Sequence, residues 1–114
     1  MSGRALSKPW IPLTADAVAA LPAQLGVYEL GADDGTVVRI AYAGGRELFG
    51  LRSVLAAELE ARVGAGEPPG RFRYELTHGY LTRWEELLMV HQARHGELPP
   101  GNADRLHPVG RLTL

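Results

Sequence analysis

The sequence has no cysteine at all, which excludes disulfide frameworks, thiolate zinc sites and cysteine nucleophiles. It also has almost no excess of charge of either sign: 13 acidic residues face 12 basic ones, for a formal net charge of -1. That balance leaves no polyanion-binding footprint over the whole surface, although a local basic face is compatible with it. Lysine is nearly missing, since Lys8 is the single example and the other positive residues are arginine. Arginine is the better group for bidentate phosphate contacts, but base composition of the genome explains such a bias equally well. No apolar run approaches membrane-spanning length, and Met1 to Pro9 has no apolar segment of the signal-peptide kind. These absences predict a soluble, cytoplasmic protein with no membrane partner.

What is present is enough for one domain. The 114 residues are 46% hydrophobic, which sets the expectation of a single domain over 1–114 with its own core. An arm and a short helix are expected over 1–22. Pro9 and Pro12 flank Trp10 and Ile11, Thr14 precedes Ala15-Asp16-Ala17-Val18 as an N-cap, and Pro22 closes the helix. Val27 to Leu30 and Thr36 to Tyr42 are rich in β-branched and aromatic residues. The Asp34-Gly35 pair between them predicts a β-hairpin.

Leu51, Val54, Leu55, Leu59 and Val63 recur at three- and four-residue intervals, the signature of an amphipathic helix. The Gly- and Pro-rich segment 64–70 reads as a loop. Phe72, Tyr74 and Leu76 alternate with Arg73, Glu75 and Thr77, which predicts a third strand with one covered face. Thr82-Arg83-Trp84-Glu85 reads as a capping box opening a second long helix, with Trp84, Leu87, Leu88 and His91 inward and Gly96 closing it. The predicted fold is α+β: a three-stranded antiparallel sheet covered by helices, in the order helix-β-β-α-β-α, with the two long helices on one face. Residues 103–114 form a tail, either an edge strand or a mobile end.

Several of these residues carry a resemblance. Gly26-Val27-Tyr28 on the first hairpin strand, Arg39-Ile40-Ala41 followed by Tyr42 on the second, and Pro99-Pro100-Gly101-Asn102 after the last helix resemble the GIY-YIG nuclease family over residues 24–102. The resemblance implies one divalent metal, Mg or Mn, held by a helix-borne Glu, with Tyr and Arg groups positioning water and stabilising charge at a scissile phosphate. Carried onto this chain, the set is Tyr28, Tyr42, Arg52, Glu86 and Asn102, with Glu86 as the metal ligand and Arg46 as the alternative to Arg52. The departures are specific. Arg39 stands in place of the second tripeptide's Tyr and Ala41 in place of its Gly, and Val90 or His91 occupies the register expected of the Glu.

The residues have plain readings as well: Tyr28 as a strand tyrosine, Arg52 as a helix-surface arginine, and Asn102 as a turn former. The His91/His95 pair has metal-ligand spacing but no third ligand, and Gly44-Gly45 lacks the flanking residues of a phosphate loop. Three functions follow from different classes. One is a GIY-YIG-like domain with an eroded site, inactive or weak, associating weakly with nucleic acid and carrying no cofactor. Another is an active endonuclease using Mg or Mn through the rearranged set. The last is a protein-interaction or assembly module, motivated by Trp10 in the arm and by the apolar end Leu112-Thr113-Leu114. The sequence leaves the oligomeric state open.

Overall fold

A computed structural model describes residues 4–102. Within them a mixed α+β fold is built on a four-stranded antiparallel sheet. In chain order the elements are β1 (Ile11–Pro12), α1 (Ala15–Ala19), β2 (Gly26–Gly31), β3 (Val37–Ala43), α2 (Leu51–Gly64), β4 (Arg71–Leu76), α3 (Tyr80–His95) and a 3-10 turn, Pro100–Asn102. The expected hairpin forms: β2 pairs with β3, and Gly35 takes the positive φ of 90° that its turn needs. β4 adds beside β2, and the two-residue β1 adds beside β4, so the strand order is β1-β4-β2-β3. The extra strand is the correction to the three-stranded expectation. Backbone between two prolines docks on the free edge of β4, and Leu13 N–H donates to the Gly70 carbonyl at 3.0 Å.

The helices do not share one face. β2 is buried along its whole length, so successive side chains enter two different cores. Tyr28 and Leu30 point towards Leu51 and Leu55 of α2, Val18 of α1 and Phe72. Val27 points the other way, with Ile40, towards Trp84, Leu87 and Leu88 of α3 and Leu6 of the arm. The one core expected beneath helices on a single face is therefore two, because the strand alternation sends successive side chains of β2 to opposite faces. The outer positions also differ from expectation. Leu59 and Tyr74 are partly buried, whereas Leu76 and Val63 are exposed.

Local signals were met unevenly. Thr14 caps α1, its hydroxyl accepting from Ala17 N–H at 3.1 Å. The capping box at Thr82 does not form. α3 starts three residues earlier, at Tyr80 behind Gly79, and has no side-chain cap; Tyr80 in this first turn stacks on Tyr42 with ring centroids 5.4 Å apart. Gly96 closes α3 with φ 80°, as expected of a C-terminal glycine.

The arm is strapped to the sheet. Trp10 lies against Gly31 with the Arg73 guanidinium 4.1 Å from its ring centroid, and Arg83 Nη1 donates to the Arg4 carbonyl at 2.7 Å. Trp10 is thus half-buried and engaged within the domain. The tail expectations, including Leu112 to Leu114, lie outside the described residues. Among the described residues no helix is long and apolar enough to cross a membrane.

Candidate functional site

The residues singled out from the sequence fall into separate places. Tyr28 lies on the α2 face of the sheet, and its hydroxyl donates to Glu58 Oε2 at 2.7 Å. Burial pushes this phenol's pKa well above its ordinary value, the Glu58 charge pushes it further, and Arg39 only partly offsets both. Tyr42 projects from the opposite face. It stacks on Tyr80 and meets Trp84 edge-on at 5.1 Å between centroids. Arg52, at the start of α2, donates from Nε and Nη2 to the Leu21 carbonyl at 3.0 and 2.8 Å and so ties the segment just after α1 to α2. Arg46 is exposed in the loop before α2.

Glu86 sits on α3, where Arg83 Nη1 donates to it at 2.6 Å while the same guanidinium binds Glu75. Asn102 is 5% exposed and clamps the outer edge of β3. Its Oδ1 accepts from Ile40 N–H at 2.8 Å and its Nδ2 donates to the Ile40 carbonyl at 2.9 Å. Tyr28 and Arg52 therefore share one side of the sheet, Tyr42 and Glu86 share the other, and Asn102 closes an edge. No single pocket gathers the five.

The carboxylate that the resemblance assigns to a divalent metal is engaged by an arginine. Mg or Mn in an open site needs a free, well-placed carboxylate supported by further oxygen donors. Glu86 is taken by an arginine, and among the described residues no three His, Cys, Asp or Glu side chains are grouped to hold an ion. His91 and His95 lie with ring centroids 4.3 Å apart. Burial lowers the pKa of His91, and the neighbouring His95 adds to the effect. The Gly44-Gly45 turn is likewise engaged within the domain, Gly45 N–H donating to the Tyr80 hydroxyl at 3.3 Å.

What the sequence did not single out is the group around Glu58. Arg39 reaches from β3 to place Nε 2.9 Å from Glu58 Oε2, a charge contact without hydrogen-bond alignment, while its Nη1 donates to the Gly101 carbonyl at 3.2 Å. Tyr28, Arg39 and Glu58 thus form one half-buried network beneath α2. It borders a cavity of about 620 Å³ between the hairpin, α2 and the loop 64–70. Glu58 is 30 residues from Tyr28, and only the packing of α2 across β2 joins them. Gly26 also has a structural explanation: a Cβ there would collide with the Glu75 carbonyl of the neighbouring strand.

Residues 4–94 match the family described as Domain of unknown function (DUF7508), and the chain belongs to that family. No curated protein matches the chain.

Proposed function

We propose that this member of the DUF7508 family is a GIY-YIG-like domain that does not cleave phosphodiesters and acts by binding. The reading is supported by the β-β-α-β-α order from β2 to α3 and by Gly26-Val27-Tyr28 on the central strand. The separation of Tyr28 from Glu86 carries it, since one lies under α2 and the other on α3 across the sheet. Hydrolysis of a phosphodiester needs a Lewis acid, an activated water and cations aimed at the same developing charge. A phenol on one face and a carboxylate on the other cannot act on one phosphate. Arg39, where the resemblance calls for a second tyrosine, instead neutralises Glu58, while burial and the Glu58 charge hold the Tyr28 phenol in its protonated form.

A plasmid-nicking assay in Mg²⁺ or Mn²⁺ tests the proposal. We expect no metal-dependent conversion of supercoiled to open-circular DNA by the wild-type chain. Metal-dependent nicking that disappears in Glu86→Gln or Tyr28→Phe would refute it.

A further inference from the structure

Arg62 occupies the last turn of α2, where a cation is favoured by the helix dipole, and that alone would make it ordinary. Its Nε–H is not ordinary: it is sealed from solvent and has no hydrogen-bond partner. Turning the guanidinium towards the cavity it lines would present that donor to a ligand's acceptor, a hydrogen bond the enclosed position forgoes. Arg62 lines the same cavity of about 620 Å³ as Arg39 and Glu58, a volume within the usual range for small-molecule sites.

The charges around that cavity narrow the ligand. Arg39 and Glu58 neutralise one another at 2.9 Å. Arg62 remains as a cation in the wall, and Asp33 and Glu67 remain as two exposed carboxylates at the rim. A polyanion such as nucleic acid would meet those carboxylates, whereas a cation alone would leave the Arg62 donor unsatisfied. We propose that the cavity binds a small zwitterion whose carboxylate or phosphate accepts from the Arg62 guanidinium and whose ammonium group faces Asp33 and Glu67. The geometry stands apart from any cleavage chemistry, so the nicking result above leaves it untouched.

The test is an NMR titration of the full chain with 4-aminobutyrate and O-phosphoethanolamine, which separate the carboxylate and phosphate sources, and with inorganic phosphate as a control lacking the ammonium group. At least one zwitterion is expected to shift the Arg62 Nε–H and the Ala32 and Gly70 amides saturably below about 20 mM. Arg62→Gln keeps a helix-compatible residue and is expected to weaken that binding by at least about fivefold, while Glu67→Gln weakens it by at least about twofold. Three results would each overturn the proposal: no saturable shift with either zwitterion, smaller losses than these in the variants, or inorganic phosphate binding as tightly as the zwitterions.

Discussion

Replacing Asn102 is the sharpest perturbation the fold offers, because one side chain there satisfies both backbone groups of Ile40 on the outer edge of β3. In Asn102→Ala the Ile40 N–H loses its acceptor inside the protein, at a cost of about 1–3 kcal/mol. The Ile40 carbonyl keeps a donor, Trp84 Nε1 at 2.9 Å, so the second lost bond costs only about 0.5–1 kcal/mol. The sum is about 1.5–4 kcal/mol, which for a domain of this size corresponds to a fall in Tm on the order of 15 °C. Urea denaturation with an unchanged m-value would measure it. Asn102→Asp separates this account from simple turn formation, since aspartate is an equally good turn residue. Its carboxylate still accepts from Ile40 N–H but repels the Ile40 carbonyl. The variant should therefore be strongly destabilised at neutral pH and recover as acid protonates the carboxyl. An Asn102→Asp protein within about 0.5 kcal/mol of wild type at pH 7 would refute the clamp.

Two further outcomes follow from the divided core and its buried carboxylate. Leu55→Ala and Leu88→Ala should each cost about 2–5 kcal/mol in urea denaturation, and in thermodynamic cycles their effects should add, because the two side chains occupy different clusters on opposite faces. Coupling above about 0.5 kcal/mol would contradict that division. Burial raises the pKa of Glu29 despite its 2.8 Å contact with Arg73, so the native state holds this proton more tightly than the unfolded chain. Its contribution to stability is complete below the ordinary glutamate pKa and is lost as pH rises through the higher folded value. Stability-against-pH curves should lose this component in Glu29→Gln. An identical pH dependence in the variant would show that the carboxyl is not perturbed.

The elements read most directly from the sequence were those fixed by local chemistry. Asp34-Gly35 announced the hairpin, Thr14 the cap of α1, and the Leu51-Leu55 spacing the buried stripe of α2. What was not legible depends on which elements meet. Val27 and Tyr28 look alike as strand residues, yet they feed separate cores because helices cover both faces. Thr82 and Glu85 have the spacing of a cap, but the helix starts ahead of them at Tyr80, whose ring stacks on Tyr42 across the fold. The candidate site suffered most. Tyr28 was visible, while its partner Glu58 resembled any solvent-facing helix carboxylate until α2 was laid across the sheet. Arg62 likewise gave no sign in the sequence that its Nε–H would be enclosed.

The strap over the β4 edge carries an evolutionary consequence. Arg73 and Arg83 hold the arm through the carbonyls of Lys8 and Arg4, groups that every amino acid possesses. The instruction for where those parts of the arm lie is therefore written in the sheet and in α3. Substitutions at residues 4 and 8 should drift freely among homologues, whereas Arg73 and Arg83 should not, and a chain with a rewritten arm would still be gripped along the same path.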